Sequence, residues 1–181
     1  MTPLLVATTA VLLLGAFFFN RLVRLRNQVE AAWADIDVQL ARRHDLVPQL
    51  VRSVKGYAAH ERATLEAATE LRARALDTAS PARLGQVESE LEQALSRIFA
   101  LREAYPELKA DQSFLELQRE LVEVEEHLQY ARRFYNGAVR DYNTAIQRVP
   151  DLLIARTFRF NGAEFFQAEA EARTAPSGLG A

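Results

Sequence analysis

The first charged side chain of this 181-residue chain is Arg21. The 19 residues from Thr2 to Asn20 carry none, and Leu4 to Phe19 reads LLVATTAVLLLGAFFF, with only Thr8 and Thr9 polar. As a helix the uncharged run spans roughly 28 Å, enough for a hydrocarbon core near 30 Å. A helix can also satisfy both threonine hydroxyls on its own carbonyls. Two other readings compete with a membrane span. A buried core helix is one. A secretory signal peptide is the other, but it needs basic residues before the apolar run and a small-residue cleavage site after it. Here no Lys or Arg precedes the run, which ends in Phe17, Phe18 and Phe19, and no cysteine follows for lipoprotein processing. Residues 1–20 therefore read as an uncleaved transmembrane anchor, touching the lipid bilayer through residues 3–19.

Arg21, Arg24 and Arg26 follow the run at once, whereas the other flank offers only the α-amino group. Positive residues are retained in the cytoplasm. The expectation is a single-pass protein of the bacterial cytoplasmic (inner) membrane, N-terminus outside and helical domain in the cytoplasm. If the arginines merely snorkel to headgroups, they stay on that same side.

Beyond residue 20 the periodicity is helical throughout. Val29, Trp33, Ile36, Leu40, Arg43, Val47, Leu50, Val54 and Tyr57 form one series in steps of three and four. Leu84, Val87, Leu91, Ala94, Ile98, Leu101 and Tyr105 form a second. The third, from Phe114 through Leu117, Leu121, Val124, Leu128, Ala131, Tyr135, Ala138, Tyr142 and Ala145 to Val149, keeps a 3.5-residue repeat, which calls for left-handed supercoiling against partner helices. Ser80-Pro81 is an N-cap followed by proline in the first turn, Pro106 stops a helix at Tyr105, Asp111 can cap the next, and Pro150 closes it. The breaks predict helices over 21–77, 81–105 and 111–149. Pro48 lies inside the first. It removes the donor for the His44 carbonyl and crowds it. The heptad phase crosses Pro48 intact and no glycine stands there, so a bent, continuous helix is expected, with water or an arginine such as Arg43 serving the freed carbonyl. A reversal at His44–Pro48 is the alternative, and it would make four helices. Trp33, on the first seam, is expected to be substantially buried.

The expected architecture is all-α: the N-terminal transmembrane helix, then an elongated antiparallel helical bundle over 21–150 with three long helices, the first bent at Pro48, or four. Residues 151–172 form an aromatic-rich C-terminal segment packed on the bundle, the alternative being a membrane-surface position with Arg156 and Arg159 facing phosphates. Residues 173–181 read as a disordered tail.

Chemistry is sparse. A diiron-carboxylate bundle needs Glu-x-x-His, and three residues before His44, His60 and His127 stand Ala41, Tyr57 and Val124. His60-Glu61 does not continue as HExxH, and neither a phosphate loop nor a serine elbow is present. Zinc on sulfur and thiol nucleophiles are excluded with cysteine. No catalytic, cofactor-binding or metal-ligating residue is assigned and no cofactor is expected. The 22 basic against 24 acidic side chains, with Glu116, Glu120, Glu123, Glu125 and Glu126 clustered, speak against nucleic acid. Polar residues do recur on or beside the seams: Asn27, Asp37, Gln39, Arg42, Arg43, Asp45, His60, Glu61, Gln118, Glu125, Arg132, Asn136, Asp141 and Asn143. They either lock helix register or line a groove that recognises another protein.

Several stretches together resemble the LemA family of bacterial membrane-anchored helical proteins. They are Ala32-Trp33, Ile36 to Leu40, Arg42 to Pro48, Lys55 to Glu61, Tyr105 to Ala110, and most strongly Ala131 to Asn136 running on into Ala138 to Asn143. The resemblance implies an N-out anchored protein with an antiparallel bundle in the cytoplasm and no established catalytic residue. His44 departs from it, since many members carry an aromatic or aliphatic residue there. A relative in magnetic bacteria acts in building magnetosome membranes, which points towards membrane organisation. The expectation is a non-catalytic scaffold or adaptor with protein partners, self-association among them. The alternatives are a membrane-remodelling module or an accessory subunit of a membrane enzyme or transporter.

Overall fold

The computed structural model describes residues 2–58 and 60–166. It contains six helices among these residues and no strand: α1 (Thr2–Lys55), α2 (Arg62–Leu76), α3 (Pro81–Ala104), α4 (Pro106–Ala110), α5 (Gln112–Gln147) and α6 (Asp151–Thr157). The all-α fold expected from the periodicity is the observed one. The end of the aromatic segment from residue 167, and the tail, lie outside the described residues.

The apolar run is the N-terminal part of α1, continuous with the helix that follows. An 18-residue window of it is long and apolar enough to cross a membrane, and none of that window is buried. Thr8 donates to the Leu4 and Leu5 carbonyls, each at 3.0 Å, and Thr9 donates to Leu5 at 2.8 Å. Neither hydroxyl needs a partner outside the helix.

The expected helix over 21–77 is in fact two. α1 passes through Pro48 without reversing and stops at Lys55, and residues 56–61 turn the chain into α2. Gly56 follows the last helical residue, and glycine is among the poorest helix formers. The Tyr57 and Ala58 amides both fall back on the Val54 carbonyl, at 3.0 and 2.9 Å. The long helices among the described residues are therefore four, α1, α2, α3 and α5, with the reversal at 56–61 and not at His44–Pro48. The remaining signals behave as read. Ser80 accepts from the Arg83 amide, with Pro81 in the first turn of α3. Asp111 accepts from the Phe114 amide at 2.8 Å at the start of α5. Between them Pro106 opens α4, a short helix that buries Leu108.

Two compact units share these helices. Among the described residues, one comprises the chain up to Gln39 with His127–Glu164, and the other Leu40–Glu126 with Phe165 and Phe166. In the first, Ala32, Ile36, Leu128, Tyr135, Ala138, Tyr142 and Ala145 are buried. Trp33 is mostly but not fully covered, tilted against Tyr135 with ring centroids 5.3 Å apart. The fully covered position beside it belongs to Ala32. In the second unit Val47, Leu50, Val54, Leu91, Ile98 and Phe114 form the core, and Phe99 meets Phe114 edge-on. Val149 and Tyr57, the last members of their series, are exposed.

Candidate functional site

The first cluster grows from the seam of α1. Arg43 falls on the apolar stripe and is 1% exposed, and Glu88 on α3 is fully buried. Glu88 stands four residues after Leu84 and three before Leu91, so helical spacing alone puts it on the buried face. A buried charge is tolerable only when paired. One Glu88 oxygen accepts from Arg43 Nη1 at 3.1 Å, and the other lies 2.6 Å from His44 Nε2. Arg43 also pairs through Nη2 with Glu125 of α5, and Arg42 reaches Glu120 and Glu123 at 3.7 and 3.5 Å. Both Glu88 oxygens are engaged by neighbours on α1. The arrangement links α1, α3 and α5 through one charge network.

Arg72 of α2 completes this region. Its Nε–H donates to the His44 carbonyl at 2.5 Å. That is the carbonyl for which Pro48 provides no N–H. An arginine was expected there, but it comes from α2 and is not Arg43.

The second cluster lies where the apolar run ends. Arg21 pairs with Asp151, the first residue of α6, which is buried. Phe19 meets Phe158 and Phe160 edge-on, with centroids 4.8 and 5.8 Å away. Arg159, at φ 56°, turns the chain out of α6. The extended stretch beyond it is held by α5. Tyr142 donates to the Asn161 carbonyl at 2.8 Å, Tyr135 to Glu164 at 2.8 Å, and Asn143 exchanges two bonds of 2.9 Å with the Ala163 backbone. Burial raises the pKa of both tyrosines; the Glu164 carboxylate adds to it for Tyr135, whereas for Tyr142 the Arg26 charge opposes it and Glu30 adds a smaller increment.

A third feature is an exposed apolar face. Val38 on α1 and Tyr130 and Phe134 on α5 line a shallow groove of about 350 Å³ with Asp35, Gln39 and His127. Phe134 is 54% exposed although its neighbour Tyr135 is buried. The Arg133 guanidinium sits 4.8 Å from the Tyr130 ring centroid.

Of the seam polar residues, the structure gathers Arg42, Arg43 and Glu125 into the first cluster and assigns Asn143 to the C-terminal stretch. Gln118 accepts from Arg102 at 3.3 Å, His60 is exposed, and Glu61 precedes α2 without a side-chain cap bond. Glu88, Arg72 and Asp151 were not singled out from the sequence. Glu88 was discoverable from its spacing. Asp151 and Arg72 have no local signature, because their partners lie 130 and 28 residues away.

Residues 32–177 match the model of the LemA family. Protein LemA of Metamycoplasma hominis is 27% identical over 168 residues, covering 87% of this chain and 75% of its own. Magnetosome protein MamQ 2 of Paramagnetospirillum magneticum is 24% identical, and magnetosome protein MamQ of Magnetospirillum gryphiswaldense 22%, each over 82% of this chain. The chain spans 64% of the length of these two magnetosome proteins. LemA is not known as an enzyme family. With a match over most of its length and an unburied apolar helix at its start, the chain belongs to the LemA family.

Proposed function

We propose that this protein is a non-catalytic scaffold, anchored in the inner membrane by the start of α1 with its helices in the cytoplasm, and that it offers a helical face to a protein partner. The observation that carries the reading is the face formed by Val38, Tyr130 and Phe134. Large apolar side chains stand in water there while the reverse faces of the same helices are buried. Solvating apolar surface is unfavourable by roughly 25 cal/mol per Å², so a partner that covers these three side chains gains by it. Aromatic residues with an adjacent arginine are also the composition of interface hot spots. The charge asymmetry of Arg21, Arg24 and Arg26 supports the cytoplasmic side.

A photo-crosslinking amino acid at Tyr130, in cells, tests this. The expected result is a discrete adduct, with another protein or a second copy of this chain, that disappears with Val38→Ser or Phe134→Ser. Crosslinking no stronger than from the exposed control position Gln86, or insensitive to those substitutions, contradicts it.

The likeness to proteins named for magnetosomes favours a second reading, a membrane-organising module. It differs in requiring that the protein alter membrane shape, which reconstitution of the full chain into vesicles followed by electron microscopy measures.

A further inference from the structure

We infer that α6 and the turn after it form a second membrane contact, inserted at the headgroup boundary of the leaflet where the anchor ends. The inference rests on the reading of the apolar run as a membrane span. Phe19 closes that run, and its ring packs on Phe158 and Phe160. Ile154 and Phe158 share an apolar groove of about 490 Å³ with Val11, Leu12, Gly15, Ala16, Phe19 and Asn20. Val11 lies about 12 Å along the helix from Phe19. α6 therefore sits beside the last two turns of the anchor, at the depth an interfacial helix reaches when it enters roughly 5–10 Å below the headgroups.

The surface chemistry suits that position. Leu153 is 62% exposed and Phe158 57% exposed, so the segment shows apolar side chains outward where a soluble helix would show polar ones. From Arg148 to Phe160 the charges are Arg148, Arg156 and Arg159 against Asp151 alone. Asp151 is buried and committed to Arg21, which leaves three exposed arginines to meet lipid phosphates, with Arg24 and Arg26 of α1 nearby in sequence to Arg21. The occupant is thus a phospholipid of that leaflet: acyl chain in the groove beside Gly15 and Ala16, phosphate at the arginines. Fixed to both α1 and the end of α5, α6 would hold the helices at one set angle to the bilayer, where a single span alone leaves them free to swivel.

The chain has no cysteine, so single labels are unambiguous. An environment-sensitive fluorophore is attached to Leu153→Cys, Thr157→Cys, Leu12→Cys or Gln86→Cys in the full chain, reconstituted in phosphatidylcholine–phosphatidylglycerol vesicles. Labels at 153 and 157 are expected to shift to the blue and lose most of their emission to a shallow lipid-borne quencher. Leu12 should answer to a deep one and Gln86 to aqueous iodide. If 153 and 157 answer to iodide as Gln86 does, or to neither quencher, while Leu12 stays lipid-quenched, the second contact is refuted and the anchor stands. If Leu12 also answers to iodide, the anchor reading fails and takes the inference with it.

Discussion

The Arg72 Nε–H donates at 2.5 Å to the His44 carbonyl, the group that Pro48 deprives of its helical donor. The pairing explains how α1 carries a proline in its interior without ending there. A helix-interior proline costs about 3 kcal/mol, part of it an unsatisfied carbonyl. A charged donor recovers about 1.5–3 kcal/mol. Arg72 reaches that carbonyl because the chain reverses at 56–61 and brings α2 back along α1.

A double-mutant cycle is expected to show the dependence. Arg72→Ala should lower stability by about 1–3 kcal/mol in the native background. In a Pro48→Ala background, where residue 48 regains its own N–H, the same substitution should cost clearly less. Equal costs in both backgrounds, by denaturant unfolding in mild detergent, would mean that Arg72 acts elsewhere.

The Arg43–Glu88 pair yields a sharper contrast. Arg43→Met or Glu88→Leu alone strands a buried charge and should destabilise by about 3–5 kcal/mol. The double substitution removes both members of the pair and should recover part of that loss but not all, because Glu125 still loses Arg43 and His44 still loses Glu88. Circular dichroism melts of the four proteins measure it. A double variant as unstable as the sum of the singles would show that Arg43 and Glu88 are not coupled.

How much of this was legible in the sequence varies by element. The apolar N-terminal helix, the start of α3 at Ser80-Pro81 and the Asp111 cap of α5 were readable because each rests on a local pattern. Arg43 was readable as a seam residue, since its spacing from Leu40 and Val47 admits nothing else. The break after Lys55 was not read, because one glycine at position 56 is a weak stop signal and the phase of Val54 and Tyr57 continues across it. Arg21–Asp151 and Phe19–Phe158 join the two ends of the chain, and no window of local sequence contains such a pair.

The Tyr57 hydroxyl donates to Asp111 at 2.7 Å, tying the 56–61 turn to the α5 cap. The bond from the Phe114 amide, then that from Tyr57, holds the Asp111 carboxyl below its ordinary pKa. The bond to Asp111 and its charge raise Tyr57 above its ordinary value of 10.0. The sign follows from linkage. Asp111 contributes stability above the usual carboxylate range and loses it as pH falls through its lowered value. Tyr57 contributes below about pH 10 and loses it as pH rises through its raised value. The turn should therefore be tied to α5 across the neutral range and released at both extremes. Asp111→Asn is expected to return Tyr57 towards its ordinary value in a phenolate absorbance titration. An unchanged titration would show that the bond does not form in solution.

Sidedness is the most direct test of a cytoplasmic scaffold held by an N-terminal anchor. Gln86→Cys on α3, exposed and remote in sequence from the anchor, is treated with a membrane-impermeant maleimide in intact bacterial spheroplasts and after permeabilisation. The expected result is labelling only after permeabilisation, in a protein that stays with the membrane through a high-salt wash. Labelling of intact spheroplasts would place the helices outside, and release of unlabelled protein by the wash would show that no span holds it.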